Sequence, residues 1–168
     1  MATGVDELSA HAKVSKMSLY THFGSKENLA TEYVVDAERG FQAWFEQELA
    51  LGPADPKARL LHAFDVLRAW VNRAEFRGCI FINAALQLND GSHPASSAAS
   101  AQKASMRARL EELCHAAGMR KPKALARELS LLMDGALVAS AMEQSPAAAI
   151  AARSAAIKLL EANSAGAP

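Results

Sequence analysis

Residues 5–29, VDELSAHAKVSKMSLYTHFGSKENL, leave few folds open. Val5, Leu8 and Ala12 recur at steps of three and four, the spacing of one helical face. Val14 falls in a short break. Ser15 is a good N-cap for a second helix, because its hydroxyl accepts from a backbone N–H that has no partner inside the helix. That second helix, Lys16 to Phe23, turns only Leu19 and Phe23 inward. Gly24 ends it, and Ser25 caps a third helix. A helix of two turns with one apolar stripe cannot stand alone in water and must be held by neighbours.

The outer face of the second helix carries Lys16, Met17, Ser18, Tyr20, Thr21 and His22. Ammonium, hydroxyl, phenol and imidazole groups bond phosphates and base edges. A short helix presenting them is the logic of a helix-turn-helix, whose second helix lies in the major groove. The bland alternative is a small helical hairpin with a solvated polar face.

The wording of the segment narrows the choice. Val14, Ser15, Lys16, Met17, Ser18, Leu19, Tyr20, Thr21, His22, Phe23, Ser25, Lys26, Glu27 and Leu29 closely resemble the DNA-binding signature of the TetR-type (tetracycline-repressor-like) transcriptional regulators. By motif position, the resemblance implies phosphate contacts from Lys16, Tyr20, His22 and Lys26. The resemblance further implies that Met17, Ser18 and Thr21 are the base-facing candidates and that Ser15 caps the helix within reach of a phosphate. It also implies a longer first helix ahead of this point. Met1–Gly4 is too short to supply one, so the usual three-helix head is expected to lack its first helix.

Ala, Leu, Met, Glu, Arg and Lys dominate the 168 residues, and runs of β-branched residues are absent, which argues for an all-α fold. Lys plus Arg equals Asp plus Glu at 18 each, so the basic balance usual for a nucleic-acid binder is missing. Residues 1–31 are also neutral: Lys13, Lys16 and Lys26 stand against Asp6, Glu7 and Glu27. Cys79 and Cys114 lie far apart with no CxxC partner and read as free thiols in a reducing compartment. No signal-peptide pattern opens the chain, and the apolar stretch Leu129–Met142 is too broken to span a bilayer. A soluble, cytoplasmic protein with no membrane partner is expected.

Beyond the head (residues 1–30), residues 31–168 read as a helical effector-binding and dimerisation domain. Lys26 to Leu51 is one long helix with an apolar stripe of Leu29, Tyr33, Ala37, Phe41, Trp44, Phe45 and Leu49. Asp55 and Pro56 open the next, to Arg73. Cys79–Leu88 is apolar nearly all round and is expected at the centre. Asn89-Asp90-Gly91-Ser92 is a turn cluster. His93 or Pro94 starts a helix to about Ala117, whose first half, ASSAASAQKAS, has weak helix propensity. Lys121 or Pro122 starts another, to about Gln144. Ser145 caps a last helix beginning at Pro146, and SAGAP is a frayed tail.

Phe41, Trp44, Phe45, Phe64, Trp70, Phe76 and Phe81 lie on helices expected to pack together, as ordinary core or as the wall of a pocket for an apolar or aromatic small molecule. Cys79, Asn83, Gln87 and His62 are its polar candidates, and the resemblance implies an effector pocket here. The last two helices are apolar on most faces, the mark of a central helix or a subunit interface. Leu129, Leu132, Met133, Ala136, Leu137, Ser140, Ile150 and Ile157 are the candidate interface residues. The resemblance implies a four-helix contact across a two-fold axis.

An enzyme should show converging polar groups, and none is visible. Glu112-x-x-His115 has the spacing of a di-iron ligand pair but lacks the second copy and further carboxylates such a site requires. There is no phosphate loop and no nucleophile elbow. No metal or cofactor is expected. The chain therefore reads as a homodimeric transcriptional repressor with two partners, a double-stranded DNA operator and a small-molecule effector. The rival is a dimeric helical ligand-binding protein that no longer binds DNA.

Overall fold

The computed structural model describes residues 4–88 and 93–164. They form eight α-helices: α1 (Val5–Ala12), α2 (Lys16–Phe23), α3 (Lys26–Ala50), α4 (Pro56–Val71), α5 (Ile80–Leu88), α6 (Pro94–Ala116), α7 (Pro122–Glu143) and α8 (Ala147–Ala162). No strand occurs among the described residues, so the fold is all-α. The turn cluster at 89–92, the tail beyond Ser164 and residues 1–3 lie outside the described residues.

Side chains set most helix starts. The Ser15 hydroxyl accepts from the Ser18 N–H at 3.0 Å, and the Ser25 hydroxyl from the Asn28 N–H at 3.0 Å. The Asp55 carboxylate accepts from the Ala58 N–H at 2.7 Å, with Pro56 in the first turn. His93 caps α6 through its imidazole, whose Nδ1 accepts from the Ala95 N–H at 3.1 Å. The start of α8 differs from expectation: Pro146 holds the cap position and the helix begins at Ala147, whose N–H donates to the Ser145 hydroxyl at 3.2 Å. Gly24 closes α2 at φ 74°, a left-handed conformation that a side chain would strain.

The core lies among α3, α4, α6, α7 and α8. Helix α4 is its axis, with Leu60 and Ala63 at 0% and Phe64 at 1% exposure. Its apolar residues at steps of three and four meet Leu110 and Cys114 of α6, Leu129 of α7 and Leu160 of α8 in one buried cluster. The small residues that weaken α6's propensity also let it pack closely: Ala95, Ser96 and Ala99 are buried.

Among the described residues, three ion pairs tie helices of the body together. Arg109 on α6 grips Glu46 on α3 with a two-pronged contact at 2.7 and 2.8 Å. Lys103 on α6 meets Asp134 on α7, and Arg153 on α8 meets Asp65 on α4 at 2.9 Å. All keep some contact with solvent, so their value lies more in fixing helix orientation than in stability.

The expectation of a central α5 is corrected. Phe81 is buried and so is Cys79 just ahead, but Asn83, Ala85, Leu86 and Gln87 are exposed, Leu86 at 73%. A short helix resting mainly on α6, with a smaller contact to α3, has only one side covered. No helix of the described residues is long and apolar enough to cross a membrane.

Candidate functional site

The residues singled out in the sequence fall in two regions, the N-terminal hairpin and a cavity in the body. Lys13, in the left-handed conformation at φ 56°, turns the chain from α1 into α2. Leu19 and Phe23 are half-buried, and no residue of α2 is fully buried. Within α1 only Ser9 is buried, while Val5 and Leu8 are half-covered and Ala12 is exposed. The rest of α2 faces solvent. Met17 is 75% and Tyr20 48% exposed, and Lys16, Ser18, Thr21 and His22 are exposed beside them. Ser15 and Ser18 share a hydroxyl hydrogen bond of 2.9 Å. The His22 ring stands edge-on to Phe23, with centroids 5.2 Å apart. Lys26 is half-buried at the start of α3. The Lys16 ammonium pairs with Asp6 of α1, an exposed contact that a phosphate could replace.

The cavity has a volume of about 670 Å³ and lies between α3, α4, α5, α6 and α7. Phe41, Trp44, Phe45, Trp70, Cys79 and Asn83, all picked out from the sequence, line it together with Gln87. Phe41 is the centre of the aromatic wall. It stacks on Phe45 with centroids 5.9 Å apart and meets Trp70 and Phe81 edge-on at 6.0 and 6.1 Å. Trp44 and Trp70 are 5.1 Å apart, and the Arg73 guanidinium lies 5.0 Å from each ring. That cation covers their outer side.

Two candidates are corrected. His62 lies outside the cavity wall: its Nε2 sits 3.1 Å from the Glu48 carbonyl, and its ring fills the space where a side chain at Gly52 would project. It stands about two turns from Trp70 along α4, and so too far towards the helix start. Phe64 is also absent from the wall and packs into the core, because Val66, Leu67 and Trp70 form the cavity face of α4.

The opposite wall was missed in the sequence. Gln102, Lys103 and Met106 of α6 line it with Ser130, Met133 and Asp134 of α7. Gln102 and Lys103 sit in the small, polar half of α6, and a polar residue amid alanines was the only available signal. Of the two thiols, Cys79 is in the wall, whereas Cys114 is sealed in the core. Burial pushes Cys114 up to about 11, with the charge of Glu111 adding to the effect.

The candidate interface residues on α7 are also corrected. Leu129, Met133, Ala136, Leu137 and Ser140 are buried inside the chain, and Met133 and Leu137 line the cavity. Leu132 and Ile157 are half-buried, and Ile150 is exposed. The apolar residues that α7 shows to solvent are Leu131, Val138 and Met142, at 65%, 41% and 80% exposure. The helix is apolar on two faces, so composition alone did not reveal which one the body covers. The Glu112/His115 pair forms no site: Glu112 is held by Arg109 at 2.9 Å, and no cluster of potential metal ligands exists among the described residues.

The described residues thus form a short N-terminal helical hairpin joined by one long helix to a body with an apolar cavity. Comparison with known proteins makes this specific. Residues 1–33 match the family described as bacterial regulatory proteins, tetR family, and residues 56–156 match the tetracyclin repressor-like C-terminal domain. The chain belongs to the TetR family, a family of transcriptional regulators rather than enzymes.

Solved structures agree. A TetR-family transcriptional regulator from Streptomyces coelicolor is 26% identical with a TM-score of 0.90, over 97% of this chain and 86% of that one. A protein from Streptomyces avermitilis described as a tetR transcriptional regulator is 29% identical with a TM-score of 0.83, over 97% and 88%. The regulatory protein TetR from Rhodobacter sphaeroides shares the fold at 22% identity and a TM-score of 0.81, over 94% and 87%. No curated protein matches the chain.

Proposed function

We propose that the chain is a homodimeric transcriptional repressor that holds a palindromic double-stranded operator and is released by a small apolar or aromatic effector. The observation that carries this reading is the continuity of α3. One face of that helix begins beside the hairpin at Ala30 and runs through Tyr33, Val34, Ala37, Phe41 and Trp44 along the cavity wall. An effector in the cavity would therefore press on the helix that carries the head. In this division residues 1–30 read DNA and residues 31–168 bind effector and partner. Tyr20, His22, Lys16 and Lys26 contact phosphates, Met17, Ser18 and Thr21 face bases, and Ser15 holds the start of the helix.

Two heads would enter successive major grooves about 34–36 Å apart. The exposed stripe of Leu131, Val138 and Met142, with Ile150 on α8, supplies the two-fold contact. Effector release then results from unequal affinity for two head spacings, only one of which fits the operator.

The test is a mobility shift on the DNA upstream of the chain's own gene across a salt series, alongside a version extended at its N-terminus by a further helix. Specific binding with a steep salt dependence supports the reading, and Tyr20→Ala should abolish it without disturbing the dimer. If neither version binds, the reading fails in favour of a helical ligand sensor. Val138→Glu should yield monomers in sedimentation. An unchanged dimer would remove the α7 stripe from the interface.

A further inference from the structure

We propose that the cavity takes an aromatic carboxylate, whose ring packs on the Phe41–Trp70 wall and whose carboxylate replaces Asp134 as the partner of Lys103. The inference rests on reading the cavity as an effector site and adds the chemistry of its occupant. The cavity is two-sided. Phe41 and Trp70, edge-on to each other at 6.0 Å, line its α3 and α4 side. Such a wall favours a flat ring. On the α6 and α7 side Lys103 and Asp134 form an ion pair, and both belong to the wall. A ligand that fills the space between meets rings at one end and this pair at the other.

The pair is unequal, and the inequality sets the sign of the ligand. The Lys103 side chain is 18% exposed and that of Asp134 is 30% exposed. A charge that has lost more of its water depends more on its partner. A cationic ligand that took Asp134 would leave the ammonium alone, which is the more deeply buried of the two. An anionic ligand that took Lys103 would keep the ammonium paired and release the carboxylate, which has more water to receive it. The exchange conserves the ion pair in the wall, and so offsets part of the hydration that the ligand gives up. A neutral ligand gains nothing from it.

The other charges at the cavity agree. Glu75 and Arg77 also line it, and both are exposed. Arg77 donates to the carbonyls of Ala74 and Phe76 at 2.9 and 2.8 Å. Arg73, likewise exposed, lies 5.0 Å from the rings of Trp44 and Trp70. Glu75 thus falls between two arginines in the chain. Two cations against one carboxylate leave this segment positive, and water screens Glu75 from an anion held at Lys103.

Three naphthalene probes of one outline separate the signs: 2-naphthoate (anionic), 2-naphthamide (neutral) and 2-naphthylmethylammonium (cationic). Each is titrated calorimetrically into the full chain near neutral pH. Naphthoate should bind the parent at least about tenfold more tightly than the amide, since only its oxygens are charged acceptors for the ammonium. It should also outbind the cation. Asp134→Asn removes the competitor for Lys103 and should tighten naphthoate without moving the amide. Lys103→Met should erase the difference between the two, and Lys103→Arg should retain it. Glu75→Gln should change naphthoate binding less than Asp134→Asn does.

Equal binding of naphthoate and the amide to the parent would overturn the proposal without recourse to any variant. Tightest binding of the cationic probe would overturn it too, moving the anchor to Asp134 or Glu75, and would leave the cavity as an effector site. An Asp134→Asn chain that binds naphthoate no better than the parent would overturn the exchange at Lys103. Binding of none of the three up to millimolar concentration would remove the effector-site reading together with the proposal.

Discussion

The hairpin and the body are built on opposite principles. In the body, α4 is sealed by its neighbouring helices, with Leu60, Ala63 and Phe64 at 1% exposure or less. In the hairpin, nothing on α2 is buried, and its shape is held by the Ser15 cap, the Gly24 turn and two half-covered side chains. A core fixes geometry through many weak contacts that add up, whereas a capped short helix depends on a few groups that each matter. The part proposed to meet DNA is the part in which α2 has no fully buried residue.

Substitutions in the two regions should separate them. Phe64→Ala should cost about 3–5 kcal/mol in urea unfolding, by removing a large side chain from a sealed site. Leu19→Ala, at a half-covered site in the hairpin, should cost less than half as much. Equal losses would mean that the two regions do not differ as described. Ser15→Ala removes the cap of α2 and should cost about 1 kcal/mol. That loss should appear as faster amide exchange along Lys16–Phe23, with little change in the melting of the body. If the whole chain melts earlier by the same amount, hairpin and body unfold as one unit.

The last effect appears only at alkaline pH and concerns Cys114. Its thiol ordinarily ionises near 9.0 and is raised to about 11 in the folded chain. Between those values the unfolded chain has lost a proton that the folded chain keeps. Stability should therefore fall as pH rises through this window, and below it the contribution is intact. Cys114→Ala should flatten that alkaline decline in urea titrations. At pH 8 the native thiol should resist alkylation until the protein unfolds.

Helix order was legible in the sequence because its signals are local. Ser15, Ser25, Asp55–Pro56 and Gly24 each act within one turn, and each sits where the sequence places it. The aromatic half of the cavity was legible for a related reason, since Phe41, Trp44 and Phe45 recur at helical spacing on one element. What was not legible depends on which neighbour covers which face. Helix α5 reads as central by composition but lies at the edge. Leu129 and Leu131 are indistinguishable in a string of letters, yet one is sealed and the other is 65% exposed. Gln102 joins the cavity only because α6 crosses behind α3, a long-range fact that no local pattern carries.

The grip of Arg109 on Glu46 has a mechanical consequence. Glu46 lies near the far end of a helix of 25 residues, and about 30 Å of rigid rod separates it from Lys26. With that fork as a fulcrum and the cavity wall lying between fulcrum and head, an effector bound as proposed would push the helix as a lever along its shaft. A rotation of about 5° at the fulcrum would sweep the head end by roughly 2–3 Å. That is comparable to the length of a hydrogen bond to a phosphate. A repacking of the cavity wall too small to disturb the core would then be enough to take a head out of register with its groove.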